Sequence, residues 1–533
     1  MSKQMRFTLL GGIVLLLIAL LIYLIANISS EGNKDLSENQ ENLENPVGNQ
    51  EIPAEYDQSF RPQFHYTPAE NWMNDPNGMV YYEGEYHLFY QYNPEGDQFG
   101  NMSWGHATSK DLVHWKEEEV AMTPDENGMI FSGSIIADEN NKSGLFPDGE
   151  GGLIAFYTSA GDVQDQRIAY STDKGRTWTK YEGNPVVPNP DIEDFRDPKV
   201  VWHEESEQYI MLLAAGKKVM FYGSKNLVDW EYLSEFGNVG AQDGVWETPE
   251  LFELPVDGNE EDTRWVLQVD MNPGSIAGGS GGQYFLGNFN GKEFIRQEKT
   301  DDINWVDFGK DFYAAQAFNG MDDRTVWMAW MSNWEYAADI PTDPWRGAMS
   351  IPREVTLTKD KNDEVQLVQQ PAPELEQLRG DLLYETTDET LGGAKPLSDI
   401  ESQTYEIVAE FEVGSAGEFG FRVRNSDDLK EGTIVGYDAK NDLVFTDRAD
   451  SGKTDFHENF PGVYRAPSSA EDGTVKLHLF VDRSSVELFA NGGRQVMTNR
   501  IFPFMESNGL EMYSKDGEVT IKSMQIYEMN TIH

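Results

Sequence analysis

A chain of 533 residues is too long for a single ordinary core, so two domains with tails are expected. It contains no cysteine, which excludes disulfides and thiolate-held zinc. Its formal net charge of −51 opposes binding to nucleic-acid phosphates or to an anionic lipid surface.

The 8 histidines fall in no metal-binding spacing, and no Asp-x-Asp-x-Asp-Gly loop occurs, so neither a metal nor a cofactor is expected. The acid excess runs through the whole chain and reads as a solvated surface suited to high salt or alkaline surroundings. The N-terminus is different. Lys3 and Arg6 precede an uncharged apolar run from Phe7 to Ala26, and about 20 such residues suffice to span a bilayer. Residues 1–28 are therefore expected to be an uncleaved signal anchor, or else a cleaved signal peptide. Either leaves the remainder outside the cytoplasm, held to the cell membrane or secreted. Residues 29–58, rich in Asn, Glu and Gln and nearly free of aromatics, cannot bury enough surface to fold and read as a tether.

From residue 59 the texture changes to short runs of β-branched and aromatic residues between turns, such as Tyr86-His87-Leu88-Phe89-Tyr90 and Leu153-Ile154-Ala155-Phe156-Tyr157. These are strand signals, and long helical periodicity is missing. The fold class is all-β. A phrase recurs: Ser109-Lys110-Asp111-Leu112-Val113-His114-Trp115, then Ser171 to Trp178, then Ser224 to Trp230. Repeats of about 40–50 residues or a little more indicate propeller blades, and residues 59–357 have room for five. Residues 358–398 read as a connector. Alternation resumes at Tyr405 to Val413, Val475 to Asp482 and Ser485 to Phe489, so residues 399–533 are expected to form a β-sandwich.

Three carboxylates lie close to prolines: Asp75 in Asn74-Asp75-Pro76, Asp197 in Arg196-Asp197-Pro198, and Glu247 in Trp246-Glu247-Thr248-Pro249. Singly, each is compatible with a turn. Residues that precede proline are biased towards extended backbone, which would hold the two aspartates with few rotamers to search. Their spacing, about two blades and then one, would bring all three to the central channel of a propeller. Paired carboxylates beside exposed aromatics suit glycoside cleavage with retention.

Trp72 to Gly78, Arg196-Asp197-Pro198 and Trp246-Glu247-Thr248-Pro249 resemble the three signature motifs of glycoside hydrolase family 32, the β-fructosidases. The resemblance runs from about Phe60 to Tyr527. It takes in Phe131-Ser132-Gly133-Ser134, Trp305 to Gln316, Trp330 to Trp334 and Val481 to Glu487. It implies a five-bladed β-propeller followed by a β-sandwich, with Asp75 as nucleophile and Glu247 as general acid/base. Asp197, beside Arg196, would stabilise the transition state. Asn74, Gln91, Phe131, Ser132 and Trp334 would form the pocket for a terminal fructosyl unit, and Trp246 would help desolvate the acid.

Two positions depart from the family pattern. Phe99 stands where a tryptophan is usual, so that wall of the pocket lacks an indole donor. Thr248 stands where many members have cysteine, which bears on the acid's pKa. The run Gly278-Gly279-Ser280-Gly281-Gly282 lacks a following Gly-Lys-Ser/Thr and reads as a flexible loop; a similar run in exo-acting fructanases points to levan or inulin, with sucrose as a side substrate. The alternatives are a fructosyltransferase and a fructan-binding surface protein without catalysis.

Overall fold

In the computed structural model the described residues are 52–147, 150–297, 302–321 and 323–533. The expected signal anchor, and the tether up to residue 51, lie outside them. No helix among the described residues is long and apolar enough to cross a membrane.

Strands dominate; ahead of two six-stranded sheets they form sheets of five, four, nine and four strands, and the nine-stranded sheet is two antiparallel blades joined by a parallel bridge between Val256 and Leu357, which makes five blades. The innermost strands of the five groups are Asn71–Tyr82 (blade I), Met129–Asp138 (II), Phe195–His203 (III), Val245–Val256 (IV) and Tyr313–Ala317 (V). Each touches the innermost strand of the next blade, and blade V returns to blade I, which closes the ring. A bridge between Val80 and Asn319 seals it, with the Asn319 N–H donating to Met79 O (2.9 Å) and the Tyr81 N–H to Asn319 O (2.8 Å).

The recurring Ser…Trp phrase forms the turn between the third and outermost strands of blades I to III. Ser109, Ser171 and Ser224 each hydrogen-bond the Asx side chain two residues on, at 3.1, 2.8 and 3.2 Å. That side chain then accepts the backbone N–H of His114, Thr177 or Asp229. The repeat is thus an Asx-turn device that uses local hydrogen bonds to reverse the chain.

Below its mouth the channel is filled by polar cross-links between blades. Ser134 Oγ donates to Pro198 O (2.8 Å), Gln316 Nε2 to Gly133 O (3.2 Å), and Lys199 Nζ to Ala317 O (2.9 Å) and to Glu250 (2.8 Å). These buried polar groups find partners on other blades, which keeps the ring in one geometry.

The stretch expected to be a connector is mostly strand. Val365–Pro371 pairs with Arg353–Lys359 as the outer edge of blade V, and Arg379–Leu391 pairs with the C-terminal strand Val519–Met529. Only a 3-10 turn, Pro373–Leu378, joins the two domains. Arg379–Leu391 is an edge strand that keeps most side chains exposed, so it pairs through its backbone and leaves little apolar alternation to read.

The two sandwich sheets enclose a core that includes Ile407, Phe411, Phe419, Phe421, Leu477 and Leu479. One of them is buried on both faces at the end formed by Thr474–Asp482, Ser485–Ala490 and Gln495–Arg500, because its outer face docks on the propeller. That junction is ionic. His65 Nδ1 meets Asp482 at 2.7 Å and His65 Nε2 meets Glu487 at 2.8 Å, while Arg353 pairs with Glu487 and with Asp307 (3.1 Å). Arg448 pairs with Asp311 at 2.6 Å. All seven of these side chains are buried.

Burial alone would lower the pKa of His65, but hydrogen bonds and charge from Asp482 and Glu487 outweigh it and raise it to about 9. A histidine raised in this way contributes stability in full below its unfolded pKa, near 6.5, and loses that contribution as pH rises through about 9. The urea midpoint is therefore expected to fall between about pH 6.5 and 9, and H65Q should flatten that fall. Glu487→Ala leaves Arg353 and His65 buried without their partner and is expected to cost about 3–5 kcal/mol in the same titration.

Candidate active site

All five innermost strands break register at the same end of the ring, and each break sets two residues opposite one on the neighbouring strand. The extra pairs are Asn74-Asp75, Phe131-Ser132, Asp197-Pro198, Thr248-Pro249 and Ala314-Ala315. Such bulges bend a strand and re-aim its side chains. Pro198 and Pro249 lie within them and Pro76 at the edge of another, where a missing N–H removes a ladder bond. The segment Trp72 to Gly78 is therefore not a turn but part of one twelve-residue strand, Asn71–Tyr82, broken by bulges.

The residues at and before these bulges form one cluster. Asp75, the second bulge residue of blade I, accepts Ser132 Oγ from the matching position of blade II (2.7 Å) and Asn74 Nδ2 (3.1 Å). Asn74 is itself fixed by Trp72 Nε1, at 2.7 Å. The residues just before the bulges of blades III, IV and V are Arg196, Glu247 and Tyr313. Arg196 donates to Glu247 Oε1 (2.6 Å) and to Asp194 (2.6 Å), and the Tyr313 hydroxyl donates to Glu247 Oε2. Asp197 follows Arg196, and its Oδ2 accepts the Thr248 N–H at 2.9 Å.

The expectation of an extended backbone before proline fails at Asp197, whose φ is +63°, and at Thr248, whose φ is +43°. Left-handed backbone is tolerated by aspartate, whereas for a β-branched threonine it is a strained outlier.

Electrostatics couple the three carboxyls. Burial raises Asp197 to about 7, with Arg196 opposing and Glu247 and Asp75 adding to the rise. Burial also raises Glu247, against the pull of Arg196, and raises Asp75, against hydrogen bonds from Ser132 and Asn74. Arg196 moves upward, because Glu247 and Asp197 outweigh the desolvation that lowers it. Charges of Glu247 and Asp75 raise Asp197, and that of Asp75 raises Glu247, so the three carboxyls titrate as a coupled set.

The aromatic wall stands over this cluster. Phe99, 46% exposed, meets the rings of Trp334, Trp72 and Phe131 edge-on at 5.6, 6.3 and 6.3 Å. Gln91 lies beneath on the second strand of blade I, donating to Asn77 Oδ1 (2.8 Å) and to Ile130 O (3.1 Å), one residue from Phe131. Trp246 does not flank the acid. It is fully buried between blades III and IV against Phe285, on the face opposite Glu247, and its indole N–H donates to Ala241 O. The ring that does reach Glu247 belongs to Tyr313, inside Trp305 to Gln316 but without a role assigned from sequence.

The glycine-rich run is also not the free loop expected. Gly281 and Gly282 already belong to the strand Gly281–Phe289. Gly278 and Ser280 are pinned by Asn333 Nδ2, and a Cβ on Gly279 would lie 2.1 Å from Asn333 Oδ1, which ties the run to the loop carrying Trp334. Among the described residues no cluster of His, Cys, Asp or Glu could hold a metal.

A closed ring of five blades with three carboxylates at one mouth, Asp75 and Asp197 buried and Glu247 partly so, followed by a sandwich, meets matching family models along nearly its whole folded length. Residues 65–371 match the glycosyl hydrolases family 32 N-terminal domain and residues 374–528 the family 32 C-terminal domain. The chain belongs to glycoside hydrolase family 32. It is 51% identical over 486 residues to a levanase of Bacillus subtilis (strain 168), covering 90% of this chain and 71% of that protein. It is 42% identical over 501 residues to an extracellular exo-inulinase of Aspergillus ficuum, covering 87% and 93%. The crystal structure of an exo-inulinase from Aspergillus awamori superposes with a TM-score of 0.86 at 40% identity, covering 90% of this chain and all of that one. A β-fructofuranosidase from Schwanniomyces occidentalis, complexed with fructosyl-erythritol, gives 0.83 at 33%. This family 32 member is a glycoside hydrolase of the β-fructosidase type.

Tyr313→Phe removes a donor from Glu247 while keeping the ring. A donor to a carboxylate favours its charged form, so the variant is expected to move the alkaline limb of kcat/KM to higher pH and to lower kcat several-fold. A pH–rate profile against the unaltered enzyme checks both.

Proposed function

We propose that the chain is an exported exo-β-fructosidase that releases terminal fructosyl units from levan or inulin, and from sucrose, with retention of configuration. Asp75 attacks the anomeric carbon while Glu247 protonates the departing glycosidic oxygen, which leaves a fructosyl ester on Asp75. Glu247, now ionised, takes a proton from water; the hydroxide forms the new bond to the anomeric carbon, the ester breaks, and free fructose leaves. Asp197 and Arg196 hold the sugar hydroxyls and the charge of the oxocarbenium-like transition state. The observation that carries this reading is that Asp75, buried, and Glu247, partly buried, are remote in sequence yet meet at one channel mouth, where the charge of Asp75 adds to the rise in the Glu247 pKa.

Arg196 bridges Glu247 before substrate arrives, and both carboxyls are raised by burial, so the two roles are separable only by chemistry. The division stated above rests on the resemblance of Asn74-Asp75-Pro76 and Trp246-Glu247-Thr248-Pro249 to the family's motifs. Export is supported by Lys3 and Arg6 ahead of the apolar run to Ala26. We propose that this run is retained as an anchor, in which case activity sediments with membranes and detergent is needed to release it.

Asp75→Asn is expected to lower kcat by a factor on the order of 10⁴ or more, with an unchanged thermal melt and retained binding of fructose. Near-normal turnover would remove Asp75 from the mechanism. NMR of the first product formed from levan, inulin and sucrose should show β-fructofuranose before mutarotation. Accumulation of longer fructosyl oligosaccharides in place of free fructose would make the chain a transferase.

A further inference from the structure

A further buried carboxyl lies under the site and takes no part in the proposed mechanism. Asp270 sits on the second strand of blade IV, directly opposite Glu247 in the ladder, and is fully buried. Its Oδ2 accepts Thr248 Oγ1 at 3.0 Å and Gln268 Nε2 at 2.6 Å, while Oδ1 has no hydrogen-bond partner. The strand beyond makes room for it, since a Cβ on Gly282 would lie 2.7 Å from Asp270 Oδ1. Burial raises its pKa to about 7, with Gln268 and Thr248 opposing and the charge of Asp75 adding to the rise. The backbone N–H of Ala314, in the bulge that follows Tyr313, also favours its charged form.

Thr248 is the residue on which this carboxyl acts. It follows Glu247 and carries a φ of +43°. Strain of this kind costs about 1–3 kcal/mol and persists only where the surroundings over-determine the conformation. Three things do so here. Pro249 follows it, its N–H is committed to Asp197, and its hydroxyl is committed to Asp270. A turn of the Thr248 peptide would withdraw the N–H from Asp197 and rotate the neighbouring Glu247 away from Arg196 and Tyr313.

We propose that Asp270 is a positioning residue that, through the Thr248 hydroxyl, fixes the blade IV bulge so that Glu247 and Asp197 keep the geometry of the reacting complex. The inference rests on the roles proposed above for those two residues. It also gives Thr248 a reason: its O–H donates a full hydrogen bond to the carboxyl below, where a thiol is a weak donor.

The test is a double-mutant cycle on the full chain with sucrose, using T248V, D270A and their combination, with thermal melts alongside. If the link is real, each single variant lowers kcat tenfold or more while KM stays within threefold, and the double variant is at most threefold below the worse single one. Asp270→Asn, which keeps an oxygen acceptor for the hydroxyl, should recover kcat to within about threefold of the unaltered enzyme. A merely structural carboxyl would lower the melt and the yield without this kcat-only loss and without rescue. Multiplying losses, or a folded D270A with kcat within twofold of the unaltered enzyme, overturn the proposal. Should D270A fail to fold, T248V alone decides, because kcat within twofold there overturns it equally. D75N is run beside the cycle. If D75N is active, the assignment of the site itself fails; if D75N is dead and the cycle is additive, only the Asp270 link fails.

Discussion

Everything at the active site depends on one constraint, the bulge repeated at the same end of all five innermost strands. A regular strand in a closed ring would send alternate side chains into the channel and alternate ones into the blade. Two residues set opposite one break that alternation, so consecutive positions can both face the mouth. In blade III this lets Arg196 and Asp197 act together, in blade IV Glu247 and Thr248, in blade I Asn74 and Asp75. The carboxylates do not occupy equivalent positions. Glu247 precedes its bulge, Asp197 is the first residue of its own and Asp75 the second. Each equivalent level is then completed by polar neighbours, Arg196 and Tyr313 around Glu247, and Ser132 beside Asp75. The ring supplies the levels and the bulge chooses which residue stands at each.

Burial is the second half of that arrangement. Carboxyls brought to a water-filled cleft would be ordinary acids. Here the rings of Trp72, Phe99, Phe131 and Trp334 pack together beside them, and desolvation is the largest influence on Asp75, Asp197, Glu247 and Asp270 alike. Donors then decide which of them bears charge most easily. In a chain of net charge −51 the local balance is therefore set by fixed partners, among them Arg196 in direct contact with Glu247.

The sequence disclosed what depended on repetition and on rare residue types. The Ser…Trp phrase reports a local Asx turn, so it is visible without the fold, and it marks blades I to III; the count of five needs the length of residues 59–357 as well. Nearby prolines mark Asp75, Asp197 and Glu247, and those prolines are visible because the bulge tolerates a missing N–H. Tyr313 was overlooked for the converse reason: the bulge of blade V is Ala314-Ala315, which carries no proline and no polar side chain to mark it. Trp246 was misplaced because next to Glu247 in sequence means opposite to it in a strand. The 358–398 stretch read as a connector because an exposed edge strand buries too little to show alternation. Asp270 had no signal at all, since its importance lies in the residue across the ladder.

The sandwich is bound to this same ring more firmly than a second domain need be. Arg353 on blade V spans from Asp307 to Glu487, and Arg448 of the sandwich reaches Asp311, whose other oxygen accepts the Tyr336 hydroxyl. Asp307, Lys310 and Asp311 lie in the segment that leads into Tyr313, and Phe308 and Asp311 donate backbone N–H groups to Val496 and Thr498 of the sandwich. Lys310 Nζ also holds Glu335, at 2.7 Å, beside Trp334. The entry to the blade V bulge is thus held from one side by the carboxyl cluster and from the other by buried ion pairs of the second domain. Buried pairs of this kind add little net stability over an apolar contact, but they penalise every misaligned packing by leaving charges unpaired. A sandwich fixed in that way restricts where Tyr313 can stand, and so acts on Glu247 without contributing a group to the site.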